Sequence, residues 1–107
     1  MEWSSEVSYF FGGAFAANAI PHWVSGLTGR AFQSPFAKPP GTGLSSSMVN
    51  VLWAWFNLIA AYLLIFRVGA FDARSAADVV AAALGAFLIS MRLARSFGRF
   101  HGGNLSS

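Results

Sequence analysis

The sequence contains no cysteine and very little charge. The first absence excludes a disulfide framework, thiolate zinc sites and cysteine redox chemistry, and leaves the compartment open. Seven Lys or Arg and four Asp or Glu make up 10% of 107 residues, against about 25% in ordinary soluble domains. A soluble chain this short has much surface for its volume and needs many polar side chains to cover it. Hydrophobic residues instead reach 55%, eleven of them phenylalanine. A lipid surround removes the need for a polar coat, so the composition points to a single membrane domain spanning residues 1–107. The basic residues are not gathered on a soluble face, which argues against a nucleic-acid partner. Several flank apolar runs, where anionic lipid headgroups are the simpler partner. The opening "MEWSSEV" has acidic residues where a secretory signal would be basic, and no small-residue cleavage pattern follows, so the first apolar run is expected to be retained.

What is present is three apolar segments, at about 7–27, 48–66 and 76–94. A helix needs about 20 residues to cross the hydrocarbon core, within a range of about 17–25. The second segment, "SMVNVLWAWFNLIAAYLLIF", holds ten Leu, Ile, Val or Phe residues. At about −0.3 to −0.6 kcal/mol each near the centre, they favour insertion by about 3–6 kcal/mol before the asparagines are counted. The first segment is free of charge from Val7 to Gly29 but carries Asn18 and His22. In the third, only 13 residues separate Asp78 from Arg92, about 20 Å of helix, and it spans if Arg92 snorkels to the interface. The expectation is an all-α membrane protein of three transmembrane helices. Five basic residues (Arg30, Lys38, Arg92, Arg95, Arg99) fall on one side and two (Arg67, Arg74) on the other. The positive-inside rule then places the N-terminus outside and the C-terminus in the cytoplasm.

Residues 28–47 form the one long connection. Pro35, Pro39, Pro40, Gly41 and Gly43 forbid a regular helix there. It reads either as a turn-rich linker or as a partly re-entrant loop closing a cavity under His22, with Phe32 and Phe36 at the bilayer interface. Ser45 to Ser47 offer N-caps for the next helix. In "RLARSFGRFH", Arg92, Arg95 and Arg99 share one helix face, and Leu93, Phe97 and Phe100 another. This is the pattern of a basic amphipathic extension, about 92–101, contacting lipid headgroups. The final "GGNLSS" reads as a mobile tail.

Four polar residues fall inside the spans with a common logic. Asn18 and His22 lie four apart on one helix face, and Asn50 and Asn57 seven apart on another. Antiparallel helices bring His22 level with Asn50 and Asn18 level with Asn57. Amides facing lipid would be unpaired at a cost of several kcal/mol, so these side chains should face one another. Gly12, Gly13, Ala16 and Ala17 on the first helix, and Ala77, Ala81 and Gly85 on the third, give small-residue faces for close packing. Pro21 is expected to kink or end the first helix and turn His22 and Trp23 to the interface.

The Asn-x-x-Pro-His, Ser-Pro-Phe and Asn-Val-Leu-Trp elements, within residues 12–66, resemble a family of small, uncharacterised bacterial integral membrane proteins. The resemblance implies a multi-pass protein of the bacterial inner membrane and no particular activity. The spans hold neither a paired acid and base nor a nucleophile beside a base, so no catalytic, cofactor or metal residues are expected. The reading is a non-enzymatic accessory protein that binds a membrane partner or its own copies. The alternative is an oligomeric transport unit lined by the Asn18, His22, Asn50 and Asn57 face.

Overall fold

A computed structural model describes residues 3–105. Helix α1 covers Trp3–Leu27, α2 Ser47–Phe66 and α3 Ala76–His101. Between α1 and α2 the chain makes two short strands, β1 (Phe32–Gln33) and β2 (Leu44–Ser45), paired antiparallel with Phe32 opposite Ser45. Two helices, α2 and α3, are long and apolar enough to cross a membrane, at about 30 and 39 Å. The expected third span, on α1, is not supported by the same measure. Serines and Glu6 occupy its first turns, and Asn18, His22 and three glycines dilute the rest.

The least apolar helix takes the central position. Helix α1 packs along both neighbours, while α2 and α3 scarcely touch each other. The contacts Ser8–Leu64, Asn18–Asn57 and His22–Asn50 run in opposite chain directions, so α1 and α2 are antiparallel. Those between α1 and α3 run in the same direction, from Phe10–Gly85 to His22–Phe97. The adjacent pair Gly12 and Gly13 serves both neighbours. A β-carbon on Gly12 would meet Ile65 of α2, and one on Gly13 would strike the Ala82 carbonyl of α3. From the other side, a β-carbon on Gly85 would strike the Phe10 carbonyl. The α1–α3 crossing thus brings backbone onto backbone, as small residues permit between membrane helices.

Local chemistry sets most helix ends. Ser46 caps α2 by accepting from the Val49 amide at 3.2 Å, and Ser75 caps α3 by accepting from Asp78 N at 3.3 Å. At the far end Gly102 adopts φ 78°, and the amides of Gly102 and Gly103 both donate to the Gly98 carbonyl. Asn104 Nδ2 adds a bond to the Arg95 carbonyl at 2.9 Å. The segment expected to be a mobile tail therefore begins as a helix cap; Ser106 and Ser107 lie outside the described residues.

One further expectation is corrected. Helix α1 continues through Pro21 to Leu27, and His22 is 2% exposed rather than turned to the interface. The basic extension, about 92–101, is the last part of α3, which runs unbroken to His101. Arg92, Arg95 and Arg99 are exposed on it, but its apolar residues divide: Phe97 packs on His22 and Phe32, while Phe100 lies under the Arg99 guanidinium at 5.0 Å.

Candidate functional site: a polar seam under the 28–46 loop

The side chains of the α1–α2 seam bond one another. Asn18 Nδ2 donates to Asn57 Oδ1 at 2.9 Å, and Asn57 Nδ2 donates to the Trp53 carbonyl at 2.7 Å. One turn nearer the loop, His22 Nδ1 and Asn50 Oδ1 are 2.7 Å apart. Asn50 Nδ2 faces three carbonyls, of Phe32, Ser45 and Ser46, at 3.1–3.2 Å. With the amide nitrogen committed to acceptors, Oδ1 must accept, so His22 carries its proton on Nδ1 and keeps a lone pair on Nε2. Asn50 and Asn57 are 0% exposed. Asn50 is therefore both a helix-pairing residue and the anchor that holds both short strands against α2.

The 28–46 loop is built rather than loose. Ser34, 2% exposed, shares a 2.6 Å hydroxyl bond with Ser45, accepts from the Phe36 amide and receives the Gly41 amide on its carbonyl. Phe32, expected at the lipid interface, points inward. Its ring stacks on His101 at 5.1 Å and 8°, and meets His22 and Phe97 at 5.6 and 4.7 Å. Gln33 Oε1 lies 2.9 Å from His101 Nε2, tying the loop to the last turn of α3. Phe36 alone of the pair is exposed, edge-on to Trp53.

These contacts border an open cleft of about 370 Å³ between the loop and all three helices. His22, Gln33, Ser34, Trp53 and Phe97 line it, with Asn18 at its inner end. A second, apolar cleft of about 230 Å³ is lined by Ala14, Phe15 and Ile89 and shares Asn18 and Trp53 with the first. The Trp53 indole N–H is buried without a partner among the described residues. Asn18, His22, Asn50 and Asn57 thus form two bonded pairs along one seam, Asn18 with Asn57 and His22 with Asn50. Arg92, Arg95 and Arg99 are not part of it; they stand outside at the same end of the bundle. Sequence reasoning missed Gln33, Ser96, Phe97 and His101 as cleft residues and read Trp53 only as an aromatic near the membrane surface or between helices. Only the Phe97 spacing relative to Leu93 gave a signal, and it suggested lipid rather than a cleft wall.

At the opposite end, Ser5, Glu6, Tyr9 and Asp78 line a separate cleft of about 340 Å³. Glu6 Oε2 is buried with no donor partner. Facing the Asp78 carboxylate, it forms a bond only by sharing a proton. That hydrogen bond, then burial, then the Asp78 charge hold the Glu6 carboxyl above its ordinary value. Among the described residues no cluster of three or more His, Asp or Glu forms a metal-ligand set. No known family model, curated protein or solved structure matches this chain.

Proposed function

We propose that this chain is a three-span protein of the bacterial inner membrane that acts by binding another membrane component, not by catalysis. The observation that carries the reading is the closure of the polar seam. Asn18, His22, Asn50 and Asn57 are bonded to one another and to backbone inside a single chain, so they do not line a pathway between copies. The faces left for partners are apolar: Trp55, Phe56, Ile59 and Leu63 on α2, and Leu84, Phe87 and Leu88 on α3. Helix α1 crosses as the third span because its polar groups are covered by its two neighbours. Arg30, Lys38, Arg92, Arg95 and Arg99 share the loop end of the bundle, which favours that end as cytoplasmic with the arginines on anionic headgroups. The resemblance to small bacterial membrane proteins agrees with this placement.

The test is photo-crosslinking in native membranes from positions 55 and 88, which face outward, with position 57 as the internal reference. The expected result is capture of a second protein or a second copy from 55 or 88, and only an intrachain product from 57. Capture of lipid alone at both outer positions sinks the interaction reading. So does solute flux through proteoliposomes that His22→Ala abolishes. A periplasmic reporter that is active at the C-terminus would reverse the orientation.

A further inference from the structure

Besides Trp53, whose indole N–H is unpartnered, two residues that line the loop-roofed cleft carry polar groups that the fold does not use. His22 spends Nδ1 on Asn50, so its Nε2 lone pair has no partner among the described residues. Gln33 spends Oε1 on His101, so its Nε2 amide donor has none either. Both side chains are almost wholly buried, at 2% and 5% exposure, and both line the cleft. Neither free nitrogen is itself a buried, unpartnered atom, so both remain open to a ligand in the cleft that their residues line. Here one is an acceptor and the other a donor.

The remaining walls narrow the chemistry. Among the described residues no charged side chain lines the cleft, so an ionic ligand would be left unpaired. Trp53, Phe97 and the His22 ring supply flat aromatic surface, which suits a planar ring. The volume, about 370 Å³, falls within the range of about 300–1,000 Å³ for small-molecule sites. A separate apolar cleft shares Asn18 and Trp53 with this one and lies between α1, α2 and Ile89 of α3. It offers apolar surface to a tail next to the ring.

We propose that this cleft binds the hydroquinone head of a long-tailed membrane lipid. One ring hydroxyl donates to His22 Nε2, and an oxygen of the ring accepts from Gln33 Nε2. The reduced ring is selected because a quinone offers only acceptors, leaving the His22 lone pair facing another lone pair. The site binds and holds; no electron transfer is part of the proposal. It goes beyond the interaction reading and stands or falls separately from it.

The experiment measures binding of a hydroquinone with a ten-carbon alkyl tail to the purified chain in lipid nanodiscs under anaerobic reducing conditions. The comparisons are the corresponding quinone and an alcohol of the same tail length. Expected is an affinity about tenfold or more higher for the hydroquinone than for the quinone, as follows from leaving a buried polar group unpaired. Gln33→Leu removes the donor and should weaken hydroquinone binding. Ser96→Leu fills the cleft from α3 and should abolish it; the Ser96 hydroxyl makes no side-chain bond among the described residues, so this change leaves the seam intact. Equal affinity for hydroquinone, quinone and alcohol would mean simple partition into an apolar groove and overturns the proposal. So does hydroquinone binding that survives Ser96→Leu unchanged.

Discussion

Replacing Gly85 by alanine tests the closest contact in the bundle. Intrinsic helix propensity favours the change by about 1 kcal/mol, because glycine loses more backbone freedom. Packing opposes it: the new methyl would strike the Phe10 carbonyl, which belongs to a helix backbone and cannot rotate away. Helices α1 and α3 must part by roughly 1 Å, and overpacking of this kind costs about 1–3 kcal/mol. Widening the seam by that much also forfeits a quarter to a half of each dispersion contact beside it. Packing wins, and the net expected loss is about 1–2 kcal/mol. Gly13→Ala meets the Ala82 carbonyl one turn away and should cost a similar amount. The two sites belong to one crossing, so separating the helices for one relieves the other. The double variant should lose less than the sum, with a coupling of roughly 0.5 kcal/mol or more. Unfolding in mixed micelles, followed by near-ultraviolet circular dichroism, gives all four corners of the cycle. A Gly85→Ala variant as stable as the parent, or more so, is what propensity alone predicts, and it would refute the close crossing.

Three other changes report on separate parts of the molecule. Asn50→Leu takes the side-chain donor from the Phe32 and Ser45 carbonyls, leaves the Ser46 carbonyl only its bond from the residue-50 amide, and strips the His22 Nδ1–H of its acceptor, and should cost about 3 kcal/mol or more; trypsin cleavage after Arg30 should accelerate as the loop lifts, and unchanged cleavage counts against the anchor. Asn57→Leu removes one interhelical bond and one bond to the Trp53 carbonyl, so a loss of about 0.6–2 kcal/mol is expected in the same unfolding assay. Glu6 has a raised carboxyl in the fold, chiefly through the bond shared with Asp78. Its stabilisation is therefore complete at low pH and lost as pH rises from the ordinary carboxylate range through the raised value. Glu6→Gln should be more stable than the parent at neutral pH and equal to it in acid; a difference that does not change with pH would remove Asp78 from the explanation.

The residues that were legible in the sequence are those whose logic is local or periodic. A polar side chain in an apolar run must find a partner, and spacing of four and seven residues confines it to one face. That reasoning alone pairs His22 with Asn50 and Asn18 with Asn57, as the fold does. The cap at Ser46 was legible for the same reason. The cleft was not, because its wall is assembled from distant positions: Gln33 from a short strand, Trp53 from α2, Ser96 and Phe97 from α3. Nothing in "RAFQSPF" distinguishes Gln33 from a solvated loop residue. His101 stood at the end of the amphipathic extension with no partner that spacing could name, and only the full length of α3 carries it back over Phe32. Pro21 misled in the opposite sense, since the helix on either side is held by two packed neighbours. Tertiary contact then outweighs the loss of one backbone bond.

The arrangement also fixes an order of dependence among the helices. Helix α1 is free of charge over most of its length, yet Asn18, His22 and the Ser8 hydroxyl find their partners on α2, at Asn57, Asn50 and the Leu64 carbonyl. Alone in a bilayer, each would be unpaired, at a cost that the modest number of strong apolar residues in α1 does not offset. Helix α2 has no such debt, because its two asparagines also bond carbonyls within their own helix and its cap. Stable integration of α1 should therefore require α2. A reporter fused after Ser46 is expected to show α1 poorly integrated, and one fused after Phe66 several-fold better. Asn50→Leu with Asn57→Leu in the longer fusion should return it toward the shorter one, even though both substitutions make α2 more apolar. That last condition separates partner supply from bulk hydrophobicity. If the leucine pair raises α1 integration, then apolar content governs insertion and the seam plays no part in it.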